Sequence, residues 1–257
     1  MTSPRPPLDP SAITTRNAAS ICVPFSDLDR RPGGPRDRQL IYGDPVLILD
    51  RSEGWCHVQS EKDGYCGYVA QDSLSPPSAP SHWVHAAATH AYETANFKSA
   101  NRVSLTFGSQ IAALKQEGLF VETVLGFVPS VHLTPIGTKA TDPAKIATLF
   151  LETPYLWGGN SRWGIDCSGL VQAALLACAI ACPGDSHEQQ HIGCAATGSF
   201  KRNDLLFWKG HVALVTDPDT LIHANAGSMT TRFEGIQEAV DRISSAGDGP
   251  ITAHRRL

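Results

Sequence analysis

The chain has 257 residues, 42% of them hydrophobic and 18% charged, with a formal net charge of −4. That length leaves room for two or three small domains with cores of their own, and the mild acidity offers no basic surface for nucleic acid. No apolar run approaches the roughly 18 residues of a membrane span, and the opening MTSPRPPLDPSAITTR lacks the apolar stretch of a secretory signal.

Residues 42–74 read YGDPVLILDRSEGWCHVQSEKDGYCGYVAQDSL, which predicts short strands rich in Val, Ile, Trp and Tyr, cut at hairpin spacing by Gly, Asp and Ser. The same order returns at 107–133. Tyr42-Gly43 matches Phe107-Gly108, EGW matches EGLF, and GYVAQDSL matches GFVPSVHL. A repeat of this kind means two copies of one small β-unit, joined by the Pro/Ser-rich stretch SPPSAPS at 75–81. Strand lengths and turn spacing resemble bacterial SH3-like barrels. The expected divisions are 1–77 for an N-terminal arm and first barrel, 78–137 for a second barrel and 138–257 for a third domain.

After Gly137 the pattern changes. Thr141-Asp142-Pro143 is a helix start, with a capping side chain ahead of a proline in the first turn, and Ile146, Leu149 and Phe150 supply one apolar face. PYLWGGNSRWG, residues 154–164, is an aromatic, Gly-rich loop. A second helix is expected from Cys167 to Ile180, with Leu170, Val171, Ala174, Leu175 and Cys178 on one stripe. HVALVTD and LIHANA then read as buried strands, giving an α+β domain with a helix pair and a small antiparallel sheet.

Asp166 can cap the second helix, which leaves Cys167 in its first turn. Unpaired N–H groups and the helix dipole there favour a thiolate. Such a nucleophile needs a base, and His211 and His223 stand twelve residues apart on the two strands. If Asp217-Pro218-Asp219 is a three-residue hairpin loop, Thr216 faces Thr220, His211 faces Asn225 and His223 faces Ala213. Both histidines then share a sheet face, roughly 7–8 Å apart as diagonal neighbours. Taken singly, a helix-start cysteine is commonly a packed small residue and a strand histidine a satisfied core residue. The combination of Gly-rich loop, cysteine and two same-face histidines, in that order, points to a Cys-His-His set.

PYLWGG, GIDCSGLV, DLLFWKGHVALV and LIHA resemble the NlpC-type cysteine peptidases of bacterial cell-wall metabolism, over most of residues 140–225. The two upstream repeats resemble the SH3-like pair of the subgroup that cleaves γ-D-glutamyl-diaminopimelate bonds. The resemblance implies a papain-like catalytic domain that needs no cofactor and no metal. It makes Cys167 the nucleophile, His211 the base, His223 the orienter and Tyr155 a donor to the oxyanion. For substrate binding it implies Tyr65 of the first barrel, Asp166 and Ser168 of D-C-S-G, Asp185 and Ser186 of the D-S-x-x-Q stretch, and Trp157 of PYLWGG. That subgroup completes its amine pocket with an acidic barrel residue. In PRDRQLIYGD neither Asp37 nor Asp44 aligns with it, which leaves the amine contact open.

The expected partner is a murein peptide with a free L-Ala amino end, with neither nucleic acid nor membrane as partner. The expected place is the cytoplasm, because seven cysteines make no even disulfide framework. A secreted wall hydrolase with wall-binding barrels and a non-catalytic wall-binding protein are the alternatives. HEQQH at 187–191 also matches the zinc-protease pattern H-E-x-x-H, but no histidine follows nearby as a third ligand.

Overall fold

Alternation of apolar and polar residues builds the N-terminal half. In the strand Trp55–Ser60 every second residue is buried, and the same period runs through Cys66–Ala70, so one face of the sheet turns inward. The computed structural model describes residues 13–257, so part of the expected N-terminal arm lies outside the described residues. Seven antiparallel strands between Asn17 and Ser75 curl around Ile21, Leu28, Leu40, Val46, Ile48, Cys56, Val58 and Val69. A five-stranded and a three-stranded sheet between His82 and Pro135 enclose Val84, Ala91, Leu105, Ile111, Val121, Val128 and Leu133.

The internal repeat is a structural one. Gly43 and Gly108 both turn the chain at positive φ, +83° and +85°, which costs glycine little and other residues more. Each unit closes with one 3-10 turn, Gln71–Ser73 and Ser130–His132, leading into a short strand. At Gly43 the second barrel comes against the first, with Gln110 N donating to Tyr42 O at 2.9 Å. Ser75 belongs to the last strand of the first barrel, so the connecting stretch is 76–81. Ser78 N ties it down by donating to Ser20 Oγ.

The C-terminal part sets helices on both faces of a six-stranded antiparallel sheet. The sheet order is Cys194–Ala195, Ala253–Arg256, Leu205–Trp208, His211–Asp217, Thr220–Asn225, Thr230–Gly235. Helix α1 (Pro143–Ala147) starts as its sequence predicts, with Asp142 accepting from Lys145 N. Helix α2 (Cys167–Ala177) packs Leu170, Val171, Ala174 and Leu175 against Val212, Leu214, Ile222 and Ala224. A single turn, α3 (Ser186–Gln189), follows, and α4 (Ile236–Ser245) covers the opposite face with Ile236, Ala239 and Ile243 over Leu206, Ala213, Val215 and Leu221. Phe107 of the second barrel enters the α2 core edge-on to Phe150, 5.6 Å between ring centroids.

Helix α2 is three residues shorter than expected. Cys178 is its C-cap and Ala179 turns left-handed at φ +59°; Ile180 N then donates to Leu175 O, and Ala179 N to Leu176 O. This is a Schellman ending with alanine where glycine is usual. Ala179→Gly should therefore raise stability by about 0.5–1 kcal/mol. Urea denaturation checks this, and an unchanged or lower midpoint would contradict the strain at Ala179.

Candidate active site

Asp166 organises the start of α2. One carboxylate oxygen accepts from Gly169 N at 2.7 Å and Ser168 Oγ at 3.0 Å, and the other from Gly158 N at 2.8 Å. The cap is therefore also the tie to the PYLWGG loop. Cys167 follows as the first residue of the helix, buried beside Val212. Burial first, then the Asp166 carboxylate, push its thiol up to about 12, against the pull of the Val212, Ser168 and Cys167 N–H groups. The expected thiolate-favouring helix start is thus overruled by desolvation.

His211 opens the neighbouring strand, and its Nε2 lies 2.9 Å from His223 Nδ1. The shared face came about by a different turn from the one expected. Asp217 pairs with Thr220, so the loop has two residues, Pro218 and Asp219; Thr216 is the extra residue of a bulge. The bulge restores the register of Leu214 with Ile222, which is the register a three-residue loop would have given. Burial, with His223 and Arg242 adding to it, pushes His211 down to about 3, and burial also lowers His223. At neutral pH Cys167 and His211 are therefore both uncharged.

Tyr155 lies in a bridge to Ile165, two residues before Cys167, and is half-buried. Burial first, then nearness to the acidic groups of Cys167 and Asp166, raises its phenol above the usual range, which keeps it a hydrogen-bond donor. Trp157 exposes its indole at the rim, while its carbonyl accepts from Arg36 Nε of the first barrel at 2.9 Å.

The first barrel reaches the site through Tyr65 and Arg38. Gly184 has no side chain to keep them away; a Cβ there would lie 2.9 Å from the Tyr65 ring and 3.0 Å from Arg38 Cδ. The Arg38 guanidinium is buried and donates from Nη1 to Ser168 Oγ at 3.3 Å and to Gly184 O at 2.5 Å. Its Nη2 donates to Asn160 Oδ1 at 3.0 Å and Gln172 Oε1 at 3.2 Å. Asp185 Oδ1 is 3.9 Å away, and the Tyr65 ring centroid 5.8 Å. Burial opposes the charge, but Asp166, Asp63 and Asp185 outweigh it and raise the guanidinium's pKa. Burial raises the Asp185 carboxyl, with Arg38 offsetting only part of that. Ser186 opens α3 beside it, and Gln189 Nε2 holds Ser168 O and Pro183 O, both at 2.9 Å.

Asp37 and Asp44 are occupied otherwise. Asp37 pairs with Arg30 at 2.5 Å and Asp44 with Lys62 at 2.6 Å. The barrel side chain buried among the peptidase residues is thus a cation, which sequence reading missed because RDRQ reads as a solvated strand. Sequence reading also missed Glu234, whose carboxylate lies 2.8 Å from His223 Nε2. HEQQH runs through the single turn α3, with His187 and His191 both exposed. Among the described residues no three metal-ligating side chains gather.

Fold and site define a class: a cysteine peptidase with its thiol on a helix packed against a sheet bearing histidines. The bacterial dipeptidyl-peptidase SH3 domain profile matches residues 28–74, and the NlpC/P60 family profile matches residues 152–242. The gamma-D-glutamyl-L-lysine dipeptidyl-peptidase of Bacillus subtilis (strain 168) is 30% identical over 213 residues, 72% of this chain and 71% of its own. Dipeptidyl-peptidase 6 of Lysinibacillus sphaericus is 25% identical over 229 residues, 78% of this chain and 84% of its own. The crystal structure of an NlpC/P60 family protein from Bacillus cereus covers 93% of this chain and 99% of its own. It superposes with TM-score 0.78 at 19% identity and shows the same fold. The chain belongs to the NlpC/P60 family of cysteine peptidases.

Removing Arg38 would leave its acceptors and three carboxylates without their donor and cation. Arg38→Met should therefore cost about 3–5 kcal/mol of stability, measured by chemical denaturation. A loss below about 1 kcal/mol would mean that the guanidinium does not hold barrel and peptidase domain together.

Proposed function

We propose that this enzyme hydrolyses the γ-D-glutamyl bond to a diamino acid, diaminopimelate first among them, in murein peptides with a free N-terminal L-Ala. The observation that carries this is the acidic cluster at the seam with the first barrel. Asp63, Asp166 and Asp185 surround one cation, Arg38, next to the buried Tyr65. The carboxylates outnumber the guanidinium; Asp166 and Asp63 accept hydrogen bonds from the protein, while Asp185, its side chain 32% exposed and 3.9 Å from Arg38, is the one open to a ligand. A substrate ammonium supplies the missing positive charge. The name of the Bacillus subtilis relative, a γ-D-glutamyl-L-lysine dipeptidyl-peptidase, supports the same bond and the release of a dipeptide.

Cys167 serves as the nucleophile in this reading. Its sulfur attacks the γ-carbonyl carbon as its proton passes to His211, and the carbonyl oxygen takes the negative charge under the Tyr155 hydroxyl. Collapse breaks the C–N bond, His211 gives its proton to the leaving amine, and a thioester remains. Water then loses a proton to His211 and attacks the thioester, and that proton returns to the departing sulfur. His223 holds the His211 ring through the 2.9 Å bond.

A free L-Ala amine exists only after the peptide has been released from muramic acid. The reaction therefore belongs to peptidoglycan recycling, and we place it in the cytoplasm, where free cysteines persist.

Cys167→Ala should abolish peptide turnover while the thermal midpoint stays within a few degrees of wild type; residual turnover would remove Cys167 from the chemistry. N-acetylation of L-Ala-γ-D-Glu-diaminopimelate should lower kcat/KM by about 30-fold or more, as loss of a buried charged contact typically costs roughly 2–5 kcal/mol. Comparable values for the two peptides would contradict the amine pocket and favour the secreted wall hydrolase.

A further inference from the structure

Strand Thr230–Gly235 closes one edge of the catalytic sheet, with Arg232 opposite His223 and Glu234 opposite Leu221. Alternation puts Glu234 on the His223 side of the sheet, under α4. Its side chain is buried, and Arg242 of α4 grips both carboxylate oxygens, Nε to Oε1 and Nη2 to Oε2, each at 2.8 Å. The second oxygen also lies 2.8 Å from His223 Nε2.

A competitor stands at the same nitrogen. Asn225 Nδ2 is 2.8 Å from His223 Nε2, and the Asn225 amide cannot be turned round without loss, because its oxygen accepts from Ser228 N at 2.8 Å and Ser228 Oγ at 3.1 Å. An amide NH2 there favours an unprotonated Nε2; a carboxylate favours a protonated one. The two partners therefore demand opposite tautomers of His223.

The tautomer of His223 decides what His211 can do. With the proton on His223 Nε2, its Nδ1 accepts from His211 Nε2–H, and His211 Nδ1 is left with a free lone pair for the thiol proton. With the proton on His223 Nδ1, that nitrogen donates to His211 Nε2. The His211 proton then sits on Nδ1, where the thiol proton would have to arrive. We propose that Glu234, fixed by Arg242, is a positioning residue that keeps the proton on His223 Nε2 against Asn225 and so keeps His211 a base. A hydrogen bond to an ionised acceptor is roughly twice as strong as a neutral one, so the carboxylate prevails. Burial works against that ionisation, but the bonds from Arg242 and His223 outweigh it and hold the Glu234 carboxyl down to about 2. The acid stays ionised throughout the cycle; it sets a tautomer and takes no proton.

The proposal rests on the Cys167-His211-His223 assignment but not on the identity of the peptide. The test is nitrogen-15 NMR of the histidine rings in the wild type and in Glu234→Gln, with the rate of Cys167 alkylation by iodoacetamide at neutral pH read by peptide mass spectrometry. The wild type should show His223 protonated at Nε2. Glu234→Gln should move that proton to Nδ1 and slow alkylation at least 10-fold, as expected for a base held in the wrong tautomer. Removing the competitor in the double variant Glu234→Gln/Asn225→Ala should recover a several-fold part of the rate, which a merely structural role for Glu234 would not produce. Wild-type His223 protonated at Nδ1 would overturn the proposal even if the variants failed to fold. A Glu234→Gln protein that alkylates at the wild-type rate would overturn it too, while leaving the peptidase reading intact.

Discussion

A buried guanidinium must be neutralised and hydrogen-bonded where it sits, and Arg38 meets that demand only with the first barrel and the peptidase domain together. Its four acceptors are Ser168, Gly184, Asn160 and Gln172, all in the peptidase domain. Neighbouring contacts follow the same seam: Gln39 O accepts from Asn160 Nδ2 at 2.8 Å, and Asp63 accepts from Gln172 Nε2 at 2.9 Å. Each of these peptidase residues lies in α2 or in the segments flanking it, so the barrel fixes the setting of the Cys167 helix. Barrel and active site are one construction, joined at this seam by a buried cation and its hydrogen bonds.

The opposite side of the site depends on sheet register. A slip of one residue in the hairpin His211–Asn225 would send one histidine to the wrong face. The bulge at Thr216 and the two-residue turn prevent it, and Thr216 Oγ1 donating to Thr220 O at 3.1 Å ties the irregularity down. With the register set, α2 covers the Val212 face and α4 the Ala213 face. The thiol lies beside the backbone of Val212, the residue that follows His211 at the start of its strand.

Local signals were readable in the sequence and long-range ones were not. Asp166 as cap, Cys167 at the helix start and the paired repeats are short-range patterns, and they appear in the structure as read. The register of His211 and His223 was right for a partly wrong reason, because the odd residue sits in a bulge and no hydrophobic period distinguishes a bulge from a longer loop. Helix α4 and the C-terminal strand Ala253–Arg256 went unread; AHRR is too polar to announce a strand that is pinned by Arg256 and His254 to Asp204. Arg38 and Glu234 were invisible for one shared reason. Each is a charged side chain whose burial depends on partners brought in by tertiary structure, up to 146 residues away in the case of Arg38.

The substrate we propose rests on how the two halves meet. The barrel places an aromatic ring, Tyr65, and a cation, Arg38, against the Asp166, Ser168 and Asp185 side of the nucleophile. The most direct measurement is a crystal structure of Cys167→Ala with L-Ala-γ-D-Glu-diaminopimelate bound. The account predicts the L-Ala ammonium within hydrogen-bond distance of Asp185 or Asp166, beneath Tyr65, with the γ-carbonyl over residue 167. A peptide bound with its amino end in solvent and the barrel residues untouched would contradict it.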